Sequence, residues 1–114
     1  MLTLTRDSWA EVLSSAKPVV VDVWGPNCAP CLRLIPLFER LAAENEGAVL
    51  AAKLDASGNR RLCIELKVFG LPTYLRFEGG VEVARISGDA AAPSALERLF
   101  GGTTQEEVDG RAER

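Results

Sequence analysis

Two cysteines, Cys28 and Cys31, are separated by Ala29 and Pro30 and follow a run of β-branched apolar residues. From Ala29 onward the apolar residues recur at helical spacing, so we expect Cys28 at or just before the first turn of a helix. Unpaired backbone N–H groups and the positive end of the helix dipole stabilise a thiolate there, and the thiolate is the nucleophilic form of cysteine. Cys31 lies one turn further on, within reach of Cys28. The pair therefore predicts reversible thiol–disulfide exchange, and Pro30 is expected to tune its redox balance because it restricts the backbone between the thiols.

Other roles for these cysteines stay open. A zinc site needs four ligands, but the sequence has no histidine and only Cys63 besides the pair. Inert core cysteines are a further alternative, whereas a structural disulfide explains little because so short a closed loop hardly restricts the unfolded chain. Redox chemistry is the favoured interpretation of the pair. For Cys63, a buried bystander thiol is favoured over a regulatory one.

Length and composition narrow the class of protein. A chain of 114 residues with 47% hydrophobic and 25% charged residues is typical of one globular domain. The net charge of -3, with acids and bases interleaved, offers no footprint for nucleic acid or for an anionic membrane. No stretch approaches the roughly 20 apolar residues of a membrane span, and the first residues lack the layout of a secretory signal. If Met1 is the native start, these features predict a protein of the cytoplasm, and the odd number of cysteines argues against a structural disulfide framework. We expect a monomer.

Strands and helices alternate along the chain. This order predicts an α/β domain with parallel strand pairs, to which a hairpin at Glu78-Gly79-Gly80 adds an antiparallel edge. Four helices are predicted. The first is short, has Trp9, Val12 and Leu13 on its apolar side, and is capped by Thr5 or Asp7. The others are Ala29 to Gly47, which should kink at Pro36, Asn59 to Lys67, and Ala95 to Phe100. The predicted strands are Pro18 to Trp24, which should be central, Ala48 to Leu54, Thr73 to Phe77, and Val81 to Ile86. We expect one domain over 1–101 and a polar, disordered tail over 102–114.

By its motifs the chain resembles the thioredoxin family over roughly residues 1–101. Four separated segments carry the resemblance: Val21-Asp22-Val23-Trp24, Cys28-Ala29-Pro30-Cys31, Ala52-Lys53-Leu54-Asp55 and Gly70-Leu71-Pro72-Thr73. The resemblance implies the thioredoxin fold, a mixed four- or five-stranded sheet with helices on both faces. It also implies reduction of protein disulfides with no bound cofactor and no metal, with electrons reaching the Cys28–Cys31 disulfide from NADPH through a flavin reductase. Disulfide-containing client proteins and that reductase would be the partners.

The resemblance also assigns roles to residues outside the cysteine pair. Pro72 is expected in the cis form against the cysteines, with the backbone of Leu71 presented to an extended substrate segment. Trp24 is expected to pack beside the active-site loop, and Gly88 to let a substrate backbone approach closely. An ordinary strand-start proline, a core tryptophan and an ordinary turn glycine are the plainer alternatives.

Asp22 stands out because an ionisable group within a run of valines is costly to bury without a partner or a function. Burial would raise its pKa, and Lys53 on the neighbouring strand is the candidate partner. We hypothesise that Asp22 exchanges a proton with Cys31 while a mixed disulfide resolves, through water if the two groups do not touch. The alternative is an aspartate turned toward solvent at the end of a strand.

Three residues of the predicted contact surface depart from the family pattern. Asn27 stands where the family typically has tryptophan, Ala29 where it has glycine, and Leu32 where it has lysine. The range of substrates is therefore open. One alternative function is a dedicated redox partner of a single enzyme, and another is a binding module that uses the scaffold without redox turnover.

Overall fold

The computed structural model describes residues 1–101, and the predicted polar tail at 102–114 lies outside the described residues. Five strands and four α-helices alternate along this part of the chain. The strands are β1 (Leu2–Leu4), β2 (Val19–Trp24), β3 (Leu50–Asp55), β4 (Thr73–Glu78) and β5 (Val81–Ser87). The helices are α1 (Trp9–Ser14), α2 (Ala29–Glu44), α3 (Arg60–Glu65) and α4 (Pro93–Gly101), and single 3-10 turns lie at Ala56–Gly58 and Gly88–Ala90.

One mixed sheet with the order β1-β3-β2-β4-β5 forms the middle of the domain. Strand β2 lies at its centre, as its continuous apolar run predicts, and pairs parallel with β3 and antiparallel with β4. The thioredoxin fold with a mixed sheet is therefore confirmed, and the number of strands is five. Strand β1 was not predicted, because a strand of three residues is too short to show a pattern.

Helices cover both faces of the sheet, and alternation along β2 divides the core between them. Val19, Val21 and Val23 face one cluster, which α1 and α3 complete with Val12, Leu62 and Cys63. Val20 faces the other cluster, which α2 and α4 complete with Phe38, Leu41, Leu96, Leu99 and Phe100. Since strand side chains alternate, Asp22 lies on the same face as Val20, under α2. Within residues 1–101, no helix has both the length and the apolar character needed to cross a bilayer.

Two details of the predicted helices are wrong. Leu13 belongs to the exposed side of α1, because the helix is short and only Val12 is buried. Neither Thr5 nor Asp7 caps α1: its N-cap residue is Ser8, no side chain makes a capping hydrogen bond, and the Thr5 hydroxyl accepts only from the Ser8 N–H, at 3.3 Å, before the helix begins. In α2 the helix continues through Pro36 to Glu44 without interruption.

The β4–β5 hairpin turns on two glycines, as predicted. Gly79 and Gly80 have φ values of 59° and 82°, in the left-handed region that glycine adopts without strain. A Cβ on Gly80 would also lie 2.7 Å from the carbonyl oxygen of Leu13. The hairpin can therefore pack against the end of α1 only with glycine at this position.

Arg76 is an unexpected buried cation in β4, with 6% of its surface exposed. Its guanidinium donates to the carbonyl oxygens of Leu99 and Phe100 at 2.9 and 3.0 Å, and to Glu78 at 2.8 Å. These carbonyls belong to the last turn of α4, which has no partners for them within the helix. Arg76 therefore links the C-terminal end of α4 to β4 through hydrogen bonds.

Replacing Arg76 with methionine removes these hydrogen bonds and leaves the buried carbonyls unpaired. We expect the free energy of unfolding to fall by about 1–3 kcal/mol. Urea unfolding measures this change, with the exposed Arg33→Met as the matched control that should stay within about 0.5 kcal/mol of the wild type. Equal unfolding midpoints for Arg76→Met and the wild type would contradict this role for Arg76.

Candidate active site

The cysteine pair lies at the carboxyl ends of the parallel strands β2 and β3. The chain leaves β2 at Trp24, and the Cys28 N–H donates to the carbonyl of Gly25 at 3.2 Å to close the turn. Helix α2 then begins at Ala29, with Cys28 as its N-cap residue and Pro30 in the first turn. Cys28 is thus at the position predicted from the sequence, where the backbone N–H groups of the helix have no carbonyl partners.

Cys28 and Cys31 form a disulfide with a Cα–Cα distance of 5.3 Å. The two sulfurs differ in exposure, since Cys28 is half-buried and Cys31 is fully buried on the side of α2 that lies on the sheet. The backbone N–H of Cys31 donates to Sγ of Cys28 at 3.2 Å. A hydrogen bond from an N–H group at a helix start favours the thiolate of Cys28 once the disulfide is reduced.

The loop before β4 reaches the cysteine turn from the neighbouring side. The Leu71–Pro72 bond is cis, and Pro72 is buried. A Cβ on Gly25 would lie 3.1 Å from Cδ1 of Leu71, so this loop packs against the turn that precedes Cys28. The N–H of Gly88 donates to the carbonyl of Pro72 at 2.9 Å, which brings the end of β5 to the same place. The structure therefore places Leu71 beside the turn that precedes Cys28, with Pro72 next to it in the chain and Gly88 bonded to Pro72.

A groove of about 400 Å³ lies beside Cys28. It is lined by Gly25, Pro26, Asn27, Cys28, Ala56, Ser57, Arg60 and Leu71. A larger cavity of about 610 Å³ lies at the opposite end of the sheet, among Leu2, Glu39 and Gly47, and has no cysteine in its lining. Of these two cavities, the groove beside Cys28 has a cysteine in its lining.

Sequence reasoning missed Arg60, which is the only charged residue that lines this groove in the part of the chain that the structure describes. It also missed Phe69, which precedes Gly70 and is 80% exposed. Leu32, which directly follows Cys31, is 44% exposed. Arg60 approaches Cys28 only through the fold, so the sequence carried no signal for it.

Asp22 is completely buried on the α2 face, so the solvent-facing alternative is wrong. Burial raises the pKa of Asp22 to about 7, and the positive charge of Lys53 partly opposes this rise. Lys53 lies opposite Asp22 in the strand register, but its Nζ is placed over the ring of Trp24, 5.1 Å from the ring centre. Neither carboxylate oxygen of Asp22 has a hydrogen-bond partner among residues 1–101. Lys53 therefore acts on Asp22 through its field, without a direct ion pair.

Cys63 lies apart from the pair in α3 and is a buried free thiol. Burial raises its pKa, and the charge of Asp55 raises it further. A thiol in such surroundings stays protonated and unreactive. Within residues 1–101, no three or more cysteine or acidic side chains are placed to hold a metal ion.

The burial of Asp22 predicts a pH dependence of stability. The carboxyl has a pKa of about 7 in the folded chain and 3.8 as its ordinary value, so the folded chain binds this proton more tightly. Stability should therefore fall as pH rises from about 4 to about 7, and stay at its lower level above that. In the oxidised protein, the stability advantage of Asp22→Asn over the wild type should shrink by about 2 to 3 kcal/mol between about pH 8 and about pH 5.

Urea unfolding of both oxidised proteins across this pH range measures the difference. The exposed Asp89→Asn is the matched control, and it should keep the pH dependence of the wild type. An Asp22→Asn curve parallel to that of the wild type would show that this carboxyl does not titrate near neutrality.

Comparison with known proteins agrees with this site. The model of the Thioredoxin family matches residues 1–99. The thioredoxin of Peptoclostridium acidaminophilum is 39% identical over 101 residues, which cover 88% of this chain and 92% of that protein. The thioredoxin of Mycobacterium tuberculosis (strain ATCC 25618 / H37Rv) is 37% identical over 99 residues, with 86% and 85% covered.

A further relative is named for both a thioredoxin reductase and a thioredoxin. The bifunctional thioredoxin reductase/thioredoxin of Mycobacterium leprae (strain TN) is 42% identical over 91 residues, which cover 80% of this chain but only 20% of that protein. The chain thus corresponds to about one fifth of the length of that relative. From the family match, the full-length relatives and the disulfide at the start of α2, we conclude that the chain belongs to the thioredoxin family and is a thiol–disulfide oxidoreductase that reduces protein disulfides.

Proposed function

We propose that the protein reduces disulfides of client proteins with Cys28 as the nucleophile and Cys31 as the resolving thiol. The observation that carries this division of roles is the difference between the two sulfurs. Cys28 is partly exposed beside the groove, and its Sγ accepts a hydrogen bond from the Cys31 N–H. Cys31, in contrast, is fully buried. A client sulfur can therefore approach Cys28 but not Cys31.

The exchange proceeds in two steps. The Cys28 thiolate attacks one sulfur of the client disulfide, that S–S bond breaks, and the first client thiolate leaves and takes up a proton. Cys31 then loses its proton and attacks Sγ of Cys28, which forms the Cys28–Cys31 disulfide and releases the second client thiolate. The client gains two electrons and two protons, and the protein ends in the disulfide form described above.

Asp22 is proposed as the group that takes the proton from Cys31. It is buried under α2 on the face of the sheet where Cys31 lies, and its pKa of about 7 suits a base that works near neutral pH. Lys53 keeps part of the carboxyl ionised through its positive charge. Proton transfer within this closed space spares the buried thiol from having to reach solvent.

Substrate binding is assigned to the groove and the loops around it. Leu71 and Pro72 would present backbone to an extended client segment, with Gly88 leaving room beside it. Gly88 has a positive φ of 56°, a backbone conformation that glycine adopts without strain. Asn27, Ala29 and Pro30 form the exposed rim near Cys28, and Trp24, held under Lys53, supports the turn. Arg60, which lines the groove, would add a positive charge in contact with the client.

The electrons are proposed to come from NADPH through a flavin reductase, which makes the protein a carrier in electron transport. The relative whose name joins a thioredoxin reductase to a thioredoxin supports a partner of this kind. A reductant of protein disulfides needs a compartment that keeps its dithiol reduced, which supports a cytoplasmic location and a role in redox homeostasis. One chain carries both cysteines, the cis-proline loop and Asp22, so a monomer suffices.

Replacing Cys31 with serine should stop the reaction after the first step. We expect the Cys31→Ser variant to accumulate a covalent adduct that approaches one client per chain, because no second thiol can release the client. Mass spectrometry of the adduct, before and after reduction, measures the yield and locates the bond at Cys28. A Cys63→Ala background removes the third thiol from the measurement.

Cys28→Ser in the same background is the matched control, and it should form no adduct. An equal adduct yield through Cys31 in that variant would overturn the assigned roles. No adduct with either variant, together with no turnover by the wild type, would overturn the proposed function.

A further inference from the structure

Within residues 1–101, three buried side-chain polar atoms have no hydrogen-bond partner, and they belong to two residues. They are the two carboxyl oxygens of Asp22 and the hydroxyl oxygen of Tyr74. Both residues are 0% exposed. Buried polar groups are nearly always paired, because burial without a partner is costly. That the unpaired atoms come from two neighbouring residues calls for a joint explanation.

Asp22 and Tyr74 face each other across the antiparallel pair β2–β4. Directly paired residues of neighbouring strands place their side chains on the same face, here the face that α2 covers. Tyr74 packs with Val20 and Phe38 in the cluster on this face, and its ring stacks on Phe38 at 6.0 Å between ring centres. The ring is therefore fixed, and the hydroxyl remains close enough to Asp22 for the aspartate charge to act on it.

The other charged or titratable groups around Asp22 do not donate a hydrogen bond to it. Lys53 on β3 lies over Trp24. Cys31 and Cys28 on α2 form the disulfide. On β4, Arg76 is engaged by Glu78 and the end of α4. Tyr74 is thus the one neutral donor that faces the carboxyl from a paired strand.

A phenylalanine at position 74 would fill the same space without the cost of a buried hydroxyl, so packing alone does not account for the tyrosine. We propose that Tyr74 is a positioning residue for the proton transfer at Cys31. Its hydroxyl makes no direct hydrogen bond to Asp22 in this structure, and it donates instead to one buried water that in turn donates to the ionised carboxylate of Asp22. This inference rests on the proposed function, since it concerns the base of the second exchange step.

The protonation states fit this direction of donation. Burial, and then the negative charge of Asp22, raise the pKa of Tyr74, so the hydroxyl keeps its proton wherever Asp22 titrates. As a donor to the carboxylate through this water, the hydroxyl stabilises the charged form of Asp22, as the field of Lys53 does. Lys53 and Tyr74 act from the two strands that flank Asp22, and both oppose the effect of burial.

The test is the titration of Asp22 in Tyr74→Phe, which keeps the ring and its packing. We expect the pKa of Asp22 to rise by roughly 0.5 to 1, because the water-mediated hydrogen bond to the carboxylate is lost. In the oxidised protein, the carboxyl carbon resonance of Asp22 followed against pH by NMR measures this directly. In the reduced protein, the rate of Cys31 attack on a preformed mixed disulfide should fall about three- to tenfold at a pH below the midpoint.

Two comparisons separate positioning from a merely structural effect. In an Asp22→Asn background, Tyr74→Phe should leave the pH profile of Cys31 attack unchanged. The rate of the first step, which needs only Cys28, should also stay the same. In the wild type, the ring carbon that bears the Tyr74 hydroxyl should report the same titration midpoint as Asp22, and this reading requires no variant.

An unchanged pKa of Asp22 in Tyr74→Phe would overturn the inference, as would a Tyr74 resonance that does not sense the titration. If the wild type reduces clients and Cys31→Ser traps them, such a result removes only the role of Tyr74. A wild type without disulfide turnover would instead remove the proposed function itself.

Discussion

The placement of one sulfur at the start of a helix is the constraint on which the site depends. Cys28 ends the turn from β2 and caps α2, so the N–H of Cys31 reaches its sulfur at 3.2 Å. The Cys31 N–H in the first turn of α2 thus favours the thiolate of Cys28, which is the nucleophile of the reaction. Because α2 continues through Pro36 and packs on the sheet with Phe38 and Leu41, the sulfur is held by the core of the domain.

The second constraint is a buried acid under that helix. Asp22 occupies a position in β2 where its neighbours Val21 and Val23 are fully buried, and its burial costs stability at neutral pH. Asp22 is paired with the positively charged Lys53 on β3 and with Tyr74, which carries a hydroxyl, on β4. A carboxyl with a pKa of about 7 can take and return a proton at the pH of the cell, which explains why a destabilising group suits this place.

The sequence allowed the central strand, the helix after Cys28 and the hairpin at Gly79 to be predicted, because each depends on local pattern or local backbone geometry. The burial of Asp22 could be predicted for the same reason, since it interrupts a run of valines. The contact of Arg60 with the groove and the pairing of Tyr74 with Asp22 could not. Both depend on which segments the fold brings together, and strand register is not visible in a single strand.

The most direct test of this account is the ionisation of Cys28 in the reduced protein. The ultraviolet absorbance of the thiolate followed against pH, in a Cys63→Ala background, measures it. If the start of α2 stabilises the thiolate, the pKa of Cys28 lies within about 3.5 to 7.5, below the pKa of about 8.5 for free cysteine. A Cys28 thiol that ionises only at about 8.5 or above would contradict the claim that the start of α2 prepares the nucleophile.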